Sequence, residues 1–132
     1  MRFYIACGHP QVDHAKQIAA ILTRNGHEQT FDWTEYGDLC HEDSTRMEEV
    51  SYLELRAVTD AELVIVLLPG GNSTHTELGV ALASRSNKRI LVWSEDGSCF
   101  EDANKLCPFY YLPVVERITG SFERLCERLG AI

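Results

Sequence analysis

Apolar residues in this chain follow two rhythms. Short unbroken runs stop at glycine, proline or asparagine, and between them longer stretches repeat an apolar residue at helical spacing. The runs over residues 3–7, 63–68 and 89–94 predict buried strands. The middle one is apolar throughout, as expected when both faces of a strand are covered. Residues 28–33 predict a further strand centred on Thr30 and Phe31, and residues 109–118 a fifth whose register Pro113 blurs. Val12, Ala15, Ala19 and Leu22 predict a helix over 11–24, with Asn25-Gly26 as its stop signal. Met47, Val50, Leu53, Ala57 and Val58 predict a second helix over 47–61. A third runs from Thr74 to Arg85, and Phe122, Leu125, Cys126 and Leu129 mark a closing amphipathic one. Residues 34–46 are acidic, polar and aperiodic, which predicts a surface loop; another loop carries Asp96-Gly97.

Strands alternating with helices at these lengths imply repeated βαβ units: an α/β fold with a five-stranded parallel sheet between two helical layers. No internal repeat, low-complexity segment or linker divides the chain, so residues 1–132 are expected to form a single domain. Ligands of such sheets bind beyond the carboxyl ends of the strands. That edge gathers Cys7, Gly8 and His9 after the first strand, Asp32 and Trp33 after the second, Pro69 to Glu77 after the third, and Ser94 to Gly97 after the fourth.

Composition narrows the partners. The chain has 132 residues, 45% of them hydrophobic, and a formal net charge of −8. That balance argues against nucleic-acid polymers and anionic membrane surfaces, and leaves a small anion as a partner that a helix N-terminus can hold. Five cysteines without a CxxC pair argue against a metal site; Cys7 and Cys126 lie in apolar patterns and are expected in the core. No signal peptide or membrane span is predicted, and a reducing cytoplasm is the expected setting.

The candidate chemistry lies in "VIVLLPGGNSTHTELGVALAS". Gly70 and Gly71 permit a tight turn and close approach of a ligand to the backbone. Asn72, Ser73 and Thr74 then present amides at a helix start, where a phosphate or sugar hydroxyls could sit. Glu77, one turn on, is placed to attack a sugar carbon or to stabilise positive charge on it. A structural alternative stands beside this one: Thr74-x-x-Glu77 matches a capping box, in which the glutamate satisfies the threonine's backbone N–H. His75 is a candidate ligand contact. Glu54 shares a helix face with Val50 and Val58, so it either reaches water at the flank or brings a second carboxylate to the strand ends. Two carboxylates divide the work of glycosidic cleavage, one at the anomeric carbon and one for proton transfer.

The segment "DAELVIVLLPGGNSTHTELGVALA", with "FYIACG" at the start and "GHEQTFDWT" after the first helix, resembles the nucleoside 2-deoxyribosyltransferase-like family, which includes deoxynucleoside 5′-monophosphate N-hydrolases. The resemblance implies a flavodoxin-like or Rossmann-like three-layer sandwich. It also implies cleavage of the N-glycosidic bond of a nucleoside or nucleotide through a glutamate nucleophile. On that basis the nucleophile falls on Glu77, its first-strand tyrosine partner on Tyr4, the second acid on Glu54, and the sugar- or phosphate-holding turn on Gly70, Gly71, Ser73 and His75. "PGGNSTHTE" is also similar to the PGGxGTxxE motif of cytokinin-activating phosphoribohydrolases, which cleave the same type of bond. Both resemblances imply an enzyme without metal or redox cofactor, and the first implies a homo-oligomer whose neighbouring subunit completes the site. Trp33 is a candidate for stacking on a base, Asp32 for meeting a base or a hydroxyl, and Arg46 and Arg56 for a phosphate. The competing expectations are a nucleotide-sensing module without turnover and a glycohydrolase acting on NAD.

Overall fold

The structure, a computed structural model, describes residues 1–36, 44–84, 87–101 and 107–132. It alternates strand and helix in the order β1 (Arg2–Ala6), α1 (Val12–Arg24), β2 (Glu28–Gln29), α2 (Ser44–Asp60), β3 (Leu63–Leu67), α3 (Asn72–Ala83), β4 (Arg89–Ser94), α4 (Ser98–Glu101), β5 (Val115–Thr119) and α5 (Phe122–Gly130). All five strands are parallel and lie in the order β2-β1-β3-β4-β5. That order is the flavodoxin-like one, and its direction reverses between β1 and β3.

Alternation along the strands sorts the core into two layers. Tyr4, Ala6, Val64, Val66, Ile90 and Val92 face α2 and α3 and meet Ala57, Val58, Leu78 and Ala81. Phe3, Ile5, Leu63, Ile65, Leu91 and Trp93 face the opposite way and meet Ile18 and Leu22 of α1 and Leu125 and Leu129 of α5. The sheet is therefore covered on both faces, as the unbroken apolar run of β3 requires. Asn25-Gly26 ends α1 as expected: Gly26 has φ 87°, and the amides of Gly26 and His27 close back on the carbonyls of Thr23 and Leu22.

Several boundaries differ from the sequence pattern. Only Glu28 and Gln29 pair as β2. Asp32 then turns the chain by accepting from the Thr34 N–H at 3.0 Å and from its hydroxyl at 2.5 Å, which starts a 3-10 helix over Trp33–Tyr36. The strand expected over 109–118 begins only at Val115, because Pro108 opens a 3-10 helix over Pro108–Tyr111. Helix α3 starts at Asn72, earlier than Thr74, and its expected end at Arg85 lies outside the described residues, as do Cys40 and the middle of the acidic loop. Leu53 stays 44% exposed at the edge of the α2 stripe. Cys7 and Cys126 are half-buried; among the described residues the buried cysteine is Cys99.

Candidate active site

The reversal of strand order opens a crevice between the ends of β1 and β3. A cleft of about 560 Å³ fills it. One wall is the turn after β1, with Cys7, Gly8 and His9. The second is the start of α3, Gly70 through Thr74. The third comes from α2, with Val50 and Glu54, and Trp33 closes the side toward β2. Glu77 and Glu54 both line it, so the structure brings the two carboxylates to one cavity from two different helices.

The turn that leads into α3 is tightly determined. Gly70 has φ +62°, and a Cβ there would lie 2.6 Å from the Thr74 methyl carbon. Gly71, in extended conformation, is the N-cap, and its N–H donates to the Thr74 hydroxyl at 3.1 Å. Thr74 is thus inside the helix, bracing its start, and the capping role belongs to Gly71 with Thr74. Glu77 is freed from capping. It falls in the buried stripe with Thr74, Leu78 and Ala81.

Glu77 is 8% exposed, and its Oε2 has no hydrogen-bond partner among the described residues. Burial, then the charge of Glu54, push its carboxyl up to about 8, while the Tyr4 hydroxyl works in the opposite direction. Tyr4 lies in the core under the cleft, fully buried, its hydroxyl likewise without a partner of normal geometry. Burial and the charges of Glu77 and Glu54 hold that phenol protonated well above its usual range, which leaves it a proton donor facing two acids. Half-buried Glu54 is also raised, by burial. Cys7 is pushed up to about 12 by burial and by Glu77, so its thiol is no nucleophile near neutrality. The charge of Glu54 disfavours ionisation of Glu77, as a like charge does in low dielectric.

Other candidates from the sequence part company here. Trp33 is fixed by its indole N–H, which donates to the Ile5 carbonyl at 2.8 Å, and His9 meets it edge-on at 5.7 Å. Asp32 caps the Trp33–Tyr36 helix and does not line the cleft; neither does Pro69. His75 points to a separate shallow depression on the other side of the α3 start. Arg56 is exposed and pairs with Asp60, Arg46 reaches the Tyr36 carbonyl, and Ser94 and Asp96 accept amides of the following turn. Cys7 lines the cleft as its place at the end of β1 implies, and Pro10, Tyr36, Met47 and Ser51 line it too, though the sequence pattern did not single them out. The heptad position of Met47 and Ser51 on the Val50–Glu54 side of α2 was the one available signal. Among the described residues, no group of three or more His, Cys, Asp or Glu is placed to hold a metal, and no helix is long and apolar enough to cross a membrane.

No family model matches the sequence, and no curated protein matches it either. Among solved structures, the chain is similar to a CMP N-glycosidase, BcmB, from Clostridium botulinum. The TM-score is 0.68 and the identity 18%, over 99% of this chain and 98% of that one. The likeness is one of fold, carried over the full length of both chains.

Proposed function

We propose that the protein is an N-glycosidase acting on a nucleoside 5′-monophosphate. The observation that carries this reading is the buried carboxylate of Glu77 beside the open start of α3, its Oε2 without a partner among the described residues. The phosphate sits at the Gly70–Thr74 turn, where free amides and the helix dipole favour an anion. Glu77 then lies at the sugar, with the base toward Trp33 and His9. That the similar solved structure is a CMP N-glycosidase supports the same reaction class.

In the reaction, a Glu77 oxygen bonds to the anomeric carbon as the bond to the base nitrogen breaks. The electron pair of that bond goes to the base, which takes a proton from Glu54. Glu54, now a carboxylate, accepts a proton from water; the water oxygen attacks the anomeric carbon and the ester to Glu77 breaks. Nucleotide and water become free base and sugar 5-phosphate, and both acids return to their starting state. Tyr4 steadies Glu77 from below by donating to the carboxylate as it ionises. A homo-oligomer, with a neighbouring subunit closing the cleft, belongs to this reading.

The test is incubation of the pure protein with CMP and the other nucleoside monophosphates, free nucleosides and NAD, with free base followed by chromatography. Base from a monophosphate with wild type, and none with Glu77→Gln, is the expected result. Binding without base release by wild type favours a sensor, and release by both forms removes Glu77 from the chemistry.

A further inference from the structure

His75 does not line the cleft, yet it is held by two hydrogen bonds. Its Nδ1 lies 2.8 Å from the Gly71 carbonyl and its Nε2 lies 2.5 Å from the Tyr110 hydroxyl. A carbonyl only accepts, so Nδ1 carries the proton. In the neutral ring Nε2 is then the acceptor, and the Tyr110 O–H donates to it. Tyr110 comes from the 3-10 helix before β5, is 2% exposed and packs in the core layer that α3 covers, so it fixes the ring from a neighbouring element. The Gly71 carbonyl also takes the His75 backbone N–H at 3.2 Å. The same side chain and its own backbone therefore grip one peptide group.

That peptide is the one joining Gly71 to Asn72. It is trans, since the Leu68-Pro69 bond accounts for the cis linkage among the described residues, and in a trans peptide the N–H points opposite to the C=O. With the Gly71 oxygen held down along the helix, the Asn72 N–H is aimed out of the α3 start, where Gly70 to Thr74 line the cleft.

We infer that His75 and Tyr110 are positioning residues: Tyr110 selects the His75 tautomer that clamps the Gly71 carbonyl, and the clamp aims the Asn72 amide at the anionic end of the substrate. The inference rests on the reading of that turn as the phosphate subsite. Removing the Tyr110 hydroxyl frees the imidazole to carry its proton on Nε2, and Nδ1 then has nothing to give the carbonyl.

Two measurements test it. Nitrogen-15 NMR of the imidazole should show His75 protonated at Nδ1 in wild type and shifted toward Nε2 in Tyr110→Phe. Calorimetric titration with CMP and with ribose 5-phosphate should show about tenfold weaker binding in Tyr110→Phe and His75→Ala, the scale of one lost hydrogen bond to a charged group. His75→Asn, whose amide can still donate from the Nδ1 position, should bind within about threefold of wild type. Cytidine, lacking the phosphate, should show no such difference. An Nε2-protonated ring in wild type overturns the proposal whatever the activity. Equal binding of CMP by wild type and Tyr110→Phe, with both folded by circular dichroism, overturns it too. If wild type binds no sugar phosphate, the phosphate reading of the turn fails and the clamp loses its purpose, while the NMR result still reports the tautomer.

Discussion

Replacing Glu77 by glutamine should make the protein more stable at alkaline pH while abolishing base release. The size of the gain follows from where the carboxylate sits. In the unfolded chain Glu77 ionises near 4.5, and in the folded protein only near about 8. Between those values the folded state keeps a proton that the unfolded state releases, so stability falls as pH rises through the window and the loss is complete above about 8. At about 1.36 kcal/mol per pH unit, the span sets a ceiling of about 5 kcal/mol. Water in the open cleft and rearrangement of Glu54 reduce this, and about 2–3 kcal/mol is expected for a partly relaxed site. Glutamine has the same shape and no charge, so its stability should lack this component. Urea denaturation of both forms at pH 5.5 and pH 9, under reducing conditions, reads the effect. The variant should already exceed wild type by about 1 kcal/mol at pH 5.5, one unit above the unfolded value, and by about 2–3 kcal/mol at pH 9, a midpoint shift of about 1–2 M urea. Equal pH dependence in the two forms, or a variant less stable than wild type at pH 9, would refute the burial argument.

The same titration governs catalysis with the opposite sign. For the proposed reaction, kcat/KM should pass through a maximum, rising with a midpoint near about 8 as Glu77 ionises and falling where Glu54 loses the proton it gives to the base; a flat profile from pH 6 to 9 in stopped assays would contradict this. Glu54→Gln should move that midpoint downward, since the Glu54 charge is a cause of the rise, and should slow turnover by about 10²–10⁴-fold through loss of proton transfer. Gly70→Ala should cost about 2–4 kcal/mol, read by urea midpoint, because it combines positive φ with a contact no Cβ tolerates against Thr74; a neutral result would mean the turn can rearrange. Lys88, 9% exposed, donates from Nζ to the carbonyls of Val58, Thr59 and Ala61 at the end of α2. Lys88→Met should lower stability by about 2–3 kcal/mol in the same assay, from unpaired carbonyls and a lost charge at a helix C-terminus.

Much of the fold was legible because it rests on periodicity. The strands β3 and β4, and the helices that cover them, follow from runs and stripes that only a sheet covered on both faces can bury. The misplaced boundaries share one cause: short-range hydrogen bonding that competes with a strand. Residues 28–33 alternate well enough for a strand, but the Asp32 carboxylate takes the Thr34 amide and the chain coils into a 3-10 helix instead. Pro108 does the same before β5, fixing φ at the start of a helical turn. Beyond Gln29 the contact with β1 continues through Thr30, whose N–H and hydroxyl both donate to the Phe3 carbonyl.

The candidate site was legible in a different way, through charges set in apolar stripes. Glu54 stood out because Val50 and Val58 flank it at helical spacing. Glu77 carries the same signal with Thr74, Leu78 and Ala81, but a plausible capping box at Thr74 masked it. The ambiguity turned on where α3 begins. With the helix starting at Thr74, Glu77 would satisfy backbone N–H groups; with Gly71 as N-cap, Thr74 takes that work and Glu77 is carried into the interior beside Tyr4. What the residue pattern left open is whether the two stripes meet, since that depends on α2 and α3 packing side by side over the ends of β1 and β3. Their convergence leaves two acids lining one cleft, and an oxygen of Glu77 without a partner among the described residues. Such an arrangement lowers stability, and a folded chain gains nothing structural from it. Stability and activity should therefore respond to Glu77→Gln in opposite directions, which a merely structural glutamate would not produce.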